Sequence, residues 1–138
     1  MIGRIVLVAA AAGALALTFS APVSAATGSV VATPASGLTD GQSVTAAAAG
    51  FATGEGIQVT ECAAVGTSVG CDEPDGASAT ADANGKAAVS LTVRKSFTAY
   101  TNGAAVGSVD CTTVSKGCWI GAVNAGHTTY GSAVISFS

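Results

Sequence analysis

A chain of 138 residues carrying a formal charge of −3, with 49% hydrophobic and 9% charged residues, has the size of one domain around one core. Eight acidic residues against five basic ones are the wrong balance for a surface that binds nucleic acid by neutralising phosphates. Eighteen glycines among abundant Ala, Ser, Thr and Val favour tightly turned β-structure over helices.

The N-terminus reads as an address. Arg4 supplies a positive charge, Ile5 to Leu17 is an unbroken run of apolar residues and glycine, and Pro22 precedes the small-residue stretch Val23-Ser24-Ala25-Ala26. That is the layout of a secretory signal peptide. Thirteen residues are too few to cross a bilayer, which needs roughly 18 to 20. The expected division is residues 1–25 as signal and 26–138 as the exported, extracellular domain, with cleavage after Ala25 or Ala26. Removing 25 of 138 residues leaves 113. Arg4 leaves with them, so four basic residues (Lys86, Arg94, Lys95, Lys116) face eight acidic ones, a mature charge of −4.

The rest alternates short β-rich runs with Gly, Asn, Asp and Pro punctuation, at the spacing of an antiparallel sandwich. Val30 to Thr33 opens, and Pro34, Ser36-Gly37 and Asp40-Gly41 make turns. Ser43 to Ala49 is a second run, ended by Thr53-Gly54-Glu55-Gly56. Ile57 to Ala63 follows, with Ile57 and Val59 on one face and Gln58 and Thr60 on the other. The clearest hairpin signal joins Ala77–Ala81 to Ala87–Val93 through Asp82-Ala83-Asn84-Gly85, since Asn-Gly suits turns that need positive φ. Val89, Leu91 and Val93 alternate with Ser90, Thr92 and Arg94, as in a strand with one buried face. Further strands are expected over Val106–Cys111, Cys118–Val123 and Ala133–Phe137, the last with Ala133, Ile135 and Phe137 on one face. No window carries a sustained helical period, and there is no internal repeat.

Cys62, Cys71, Cys111 and Cys118 all lie in the mature part, and an even number in an exported small domain reads as disulfides. Four cysteines allow three pairings, and sequence alone does not choose. The spacing favours Cys62–Cys71 and Cys111–Cys118, because each pair sits in a polar, Gly-containing segment that could turn back on itself. The second pair is expected mainly to close a hairpin. Zinc fits poorly: neither pair has the usual two- to four-residue ligand spacing, and His127 is the only histidine.

Catalysis has little to work with. His127 sits in Asn124-Ala125-Gly126-His127-Thr128, which reads as a solvated loop, and no serine sits in a G-x-S-x-G elbow. Asp72, Glu73 and Asp75 fall in a Pro- and Gly-containing loop and read as a solvated acidic turn. No enzyme and no metal site are expected.

Several motifs are more specific than composition. Thr33-Pro34, Ser36-Gly37-Leu38, Asp40-Gly41 and Cys62-Ala63 come first. Thr80-Ala81-Asp82-Ala83-Asn84-Gly85 leads into Leu91-Thr92-Val93-Arg94-Lys95-Ser96-Phe97. Gly107-Ser108-Val109-Asp110-Cys111-Thr112-Thr113 and Ile135-Ser136-Phe137 follow. Together, from about Val31 to Phe137, the chain closely resembles the neocarzinostatin family of exported actinobacterial apoproteins that carry enediyne chromophores.

The resemblance implies an all-β, seven-stranded immunoglobulin-like Greek-key sandwich with a small side ribbon and two local disulfides. It implies a cleft that shelters a non-covalently held, apolar enediyne antibiotic, and a monomeric protein that meets DNA only through that chromophore, with no covalent cofactor and no membrane contact after signal cleavage. Holding such a molecule away from water and nucleophiles calls for an apolar pocket and for cysteines locked as disulfides. The ligand-binding set implied is Gln58, Cys62, Cys71, Tyr100, Trp119, Gly121 and Val123, with Cys62 and Cys71 on the cleft floor and Gly121 on the strand beside the ligand. The chain departs from the family around that pocket. It has Ala64 where a bulky residue is common, no aromatic in Asp72-Glu73-Pro74-Asp75-Gly76, a shortened Thr101–Ala105 segment and a lengthened Thr112–Gly117 loop. Trp119 stands where a polar residue is found in neocarzinostatin, and alternation puts Trp119, Gly121 and Val123 on one strand face. That leaves two readings, core filling and cleft wall. The alternative to a carrier is a secreted immunoglobulin-like interaction module that kept the scaffold and lost the cargo.

Overall fold

The computed structural model describes residues 28–138, so the expected signal peptide lies outside the described residues. Among these residues ten strands make two sheets: β1 (Ser29–Thr33), β2 (Ser43–Ala49), β3 (Gly56–Val65), β4 (Ser68–Cys71), β5 (Ala77–Thr80), β6 (Ala87–Thr92), β7 (Ser96–Thr101), β8 (Ala104–Asp110), β9 (Cys118–Asn124) and β10 (Tyr130–Ile135), with a 3-10 turn at Glu73–Asp75. The smaller sheet is β1-β2-β6. The larger runs β10-β9-β3-β4-β7-β8, with β5 beside the first half of β3, and every ladder is antiparallel. The all-β immunoglobulin-like sandwich expected from the sequence is what the chain adopts.

The core follows from period-2 alternation. Val44, Ala46 and Ala48 of β2 and Leu91 of β6 point inward from the small sheet, against Ile57 and Val59 of β3 and Ile120 and Ala122 of β9. Phe51, Leu38 and Val93, from segments outside the strands, complete the buried core. The side ribbon is the far half of β3 turning into β4, where Cys62 faces Cys71 and Val65 faces Ser68. There β4 touches β7 at the single pair Cys71–Tyr100, and a register shift between Ala99 and Tyr100 bends β7 away with β8.

Two expectations of local structure need correction. The Asp82–Gly85 segment does turn tightly, with the Asp82 N–H donating to the Lys86 carbonyl at 2.8 Å and Asp82 Oδ1 accepting from the Asn84 and Lys86 N–H groups. Yet its flanking strands are not partners: β5 pairs with β3 and β6 with β2. The turn is an arch between the sheets, because the inward residues of β5 and β6 belong to opposite sides of the core. The pairing Cys111–Cys118 likewise closes no hairpin. It bridges the end of β8 to the start of β9, strands that are not ladder neighbours.

Candidate functional site

Strand β9 sets the site. Cys118, Ile120, Ala122 and Asn124 are buried on its inner face, which obliges Trp119, Gly121 and Val123 to point outward. Register places Gln58, Thr60 and Cys62 of β3 opposite Val123, Gly121 and Trp119. On the other flank Tyr130 and Ser132 of β10 lie opposite Val123 and Gly121. The outer face of three neighbouring strands therefore carries two aromatics around a glycine.

Gly121 makes the depression. A methyl there would lie 3.8 Å from Sγ of Cys62 and 3.9 Å from Cδ1 and Nε1 of Trp119, so the disulfide and the indole edge converge on the space its missing side chain leaves. The Cys62–Cys71 bridge forms the floor. A cavity of about 370 Å³ is lined by Thr60, Cys62, Val69, Cys71, Trp119 and Gly121, with Val123, Tyr130 and Ser132 at its margin. A second lobe of about 400 Å³ shares Thr60, Val69, Cys71 and Val123, and continues past Gln58, Tyr100 and Asn102 to Glu73 and His127. The result is one bent cleft, apolar and aromatic at one end and polar at the other. No lysine or arginine lines either lobe.

The polar end is held by its turns. Buried Asn124 donates to Glu55 Oε2 at 2.7 Å and accepts from the Thr128 and Thr129 N–H groups, which fixes the loop carrying His127 to the rim. Glu73 Oε1 accepts from the Gly103 N–H at 3.1 Å, tying the 3-10 turn to the β7–β8 turn. A further hollow beside β5, of about 410 Å³, is edged by Gly56, Ser78 and Ala79 and holds no aromatic or sulfur atom, so the disulfide-floored cleft is the better ligand site.

All seven residues of the sequence-derived set, Gln58, Cys62, Cys71, Tyr100, Trp119, Gly121 and Val123, line this cleft. Trp119 is half-buried on the cleft wall and takes no part in the core. The sequence reading missed Val69, Tyr130 and Ser132. Val69 sits in a strand too short to show a pattern, whereas Tyr130 is 65% exposed, an exposure that marks it only once its neighbours are placed.

The acidic turn is not uniformly solvated, which corrects that reading. Glu73 is exposed and Asp75 pairs with Arg94, Nε to Oδ2 at 3.1 Å, but Asp72 is buried. Glu61, one residue before the cleft cysteine, points inward after Ile57 and Val59 and is only 1% exposed. Burial pushes its carboxyl up to about 8, helped by Asp72, Asp40 and Asp75, although the Arg94 N–H favours its charged form. Glu61 also lies within 4.8 Å of Cys111 and Cys118, but those sulfurs are bonded to each other and leave no thiolate for a metal.

A sequence model described as the Neocarzinostatin family matches residues 30–137. The antitumor antibiotic C-1027 apoprotein of Streptomyces globisporus is 44% identical over 117 residues, covering 84% of this chain and 76% of the relative. Apokedarcidin, from an Actinomycete sp., is 39% identical over 115 residues, covering 81% and 99%. Among solved structures, macromomycin superposes with a TM-score of 0.74 at 36% identity, covering 80% of this chain and 99% of that one.

Proposed function

The chain belongs to the neocarzinostatin family, and from that premise we propose that it is an exported carrier apoprotein that binds and shields an apolar, enediyne-type antibiotic chromophore. Apoproteins of this family carry rather than catalyse. For this chain the reading is that it performs no chemistry of its own, forms no covalent bond to its cargo and meets DNA only through the released chromophore. Residues 1–25 direct export, and the two disulfides suit an oxidising, extracellular setting.

The observation that carries this reading is the cleft itself. A disulfide floor, a glycine hollow and the indole of Trp119 give a flat apolar platform, and every described cysteine is oxidised, so no thiolate faces the cargo. Pockets of a few hundred Å³ with few polar groups suit ring-containing ligands. Tyr130 and Trp119 compensate for the aromatics absent at Ala64 and in the Asp72–Gly76 loop.

The test is to recover the protein from the medium of its native host and weigh it intact without denaturation. The expected outcome is a non-covalent adduct that absorbs above the protein band, is lost on organic extraction and quenches Trp119 while bound. A bare protein whose Trp119 emission ignores apolar aromatic ligands would favour the interaction module instead.

A further inference from the structure

Beneath the cleft floor lies a cluster that binding does not explain. Glu61 sits between two cleft residues, Thr60 and Cys62, with its side chain on the opposite, buried face. Its Oε1 accepts from the Arg94 N–H at 2.7 Å, and its Oε2 lies 3.3 Å from Sγ of Cys111. That sulfur is in a disulfide and carries no hydrogen, so this contact is a hydrogen bond only when Glu61 keeps its proton and donates it. The Glu61 carbonyl accepts from the Asp72 N–H at 2.8 Å, and Asp72 Oδ2 is buried and accepts no hydrogen bond, with the Asp75 carboxylate beside it. An oxygen so placed is tolerable as a neutral carboxyl and costly as half of a carboxylate. Around the pair stand Asp75, Asp40 and the Arg94–Lys95 segment. The Arg94 guanidinium pairs with Asp75, and Asp40 Oδ1 accepts from the Lys95 N–H.

We propose that Glu61 and Asp72 form a proton-held strut under the cleft. In its neutral state Glu61 donates to Cys111 Sγ and so fastens the β3–β4 hairpin to the Cys111–Cys118 disulfide, a bond its carboxylate cannot make, while Asp72 beside it tolerates burial best when neutral; ionisation loosens the hairpin and weakens the hold on cargo. Glu61 is a positioning residue, acting on the ligand through Cys62 and Cys71. The proposal rests on the carrier reading only for its effect on cargo.

The sign follows from burial. Both carboxyls bind protons more tightly folded than unfolded: Glu61 is raised from 4.5 to about 8 and Asp72, through burial and then Asp75, from 3.8 to about 6. Their stabilising contribution is complete below the unfolded values and is lost as pH rises through about 6 and then about 8.

The experiment follows N-phenyl-1-naphthylamine, an apolar probe neutral across the range, by Trp119 quenching from pH 6 to 9. It compares the native protein with Glu61→Gln and Asp72→Asn, and measures amide hydrogen exchange of the β3–β4 hairpin in each. Glutamine keeps an acceptor for Arg94 and gives a fixed donor to the sulfur. In the native protein, binding should weaken about tenfold by pH 9, the change that one pH unit of coupling produces. Hairpin protection should fall with it, beyond the intrinsic rise of exchange, and Glu61→Gln should lack the step near pH 8 in both. Equal hairpin protection in native and Glu61→Gln proteins at pH 9 overturns the strut, whether or not the probe binds. A hairpin that opens on schedule in a protein that never binds the probe leaves the strut standing and removes the carrier reading. Should Glu61→Gln fail to fold, carbon-detected titration of the native carboxyl decides: a midpoint in the ordinary range near 4.5 sinks the proposal.

Discussion

Trp119 owes its position to Ile120. An isoleucine with no exposed surface claims the inner face of β9, and the pleat sends the neighbouring indole outward to the cleft. Trp119→Ala should therefore cost about 1 kcal/mol of stability, whereas Ile120→Ala should cost about 2 to 5. Urea unfolding of the two variants separates them, and only the first should weaken apolar ligands by about tenfold without loss of fold. That Trp119, Gly121 and Val123 share a face was legible, because alternation is a property of the sequence; which way that face turns was not, because it is set by the sheet that packs against Ile120. Glu61 was equally placed by alternation after Ile57 and Val59, yet its charge argues for a surface, and only the packed neighbours reveal why it stays inside. Gly76 is a similar case. A side chain there would bring Cβ to 2.6 Å from Cγ2 of Thr60, so no aromatic fits at that position of the loop.

At the scale of elements, the turn at Asn84-Gly85 was legible and its partners were not. Turn chemistry is local, whereas the choice between pairing β5 with β6 and sending them to opposite sheets is decided by the core. Strand β4 escaped notice because Ser68-Val69-Gly70-Cys71 has no pattern. Its glycine is required by a close approach: a methyl at Gly70 would fall 2.6 Å from Cβ of Ala99, beneath β7. The disulfides divide the labour differently from a pair of hairpin staples. Cys118 is fully buried and tied across non-adjacent strands, whereas Cys62–Cys71 joins cross-strand neighbours at the cleft floor. Replacing each pair by alanine should lower stability by about 2 to 4 kcal/mol, with the larger loss for Cys111/Cys118. Apolar-ligand binding, compared at a urea-free temperature where both variants remain folded, should suffer more for Cys62/Cys71. The reverse order of binding losses would remove the floor assignment.

Across the whole molecule, the described chain ends are knitted together. Gly28 donates to the Tyr130 carbonyl, Leu38 to that of Ser136, and Ser136 to that of Ala35, while Ser138 returns to Leu38 and Lys95 Nζ reaches the Ser138 carbonyl. Leu38 and Phe137 form a parallel bridge, with the Phe137 ring packed on the core. Removing residues 136–138 should cost about 3 to 5 kcal/mol, the scale of a lost core phenylalanine, and a matching drop in the urea midpoint checks it. The exact path of these connections was beyond the sequence, since Ile135-Ser136-Phe137 shows a buried face without saying what buries it.

That knot also governs timing. A fold whose Gly28 and whose Ala35 and Leu38 are tied to Tyr130 and to Ser136 and Ser138 consists largely of long-range pairings, which form slowly, in about milliseconds to seconds, and late. The cleft draws on β3, β4, β7, β9 and β10, so no partly folded chain presents a complete floor and walls. Any ligand of the cleft must meet the folded domain, after β10 has docked and the Cys62–Cys71 bridge has closed. Binding is then an encounter between two finished molecules, and its rate is set by their concentrations rather than by synthesis of the chain.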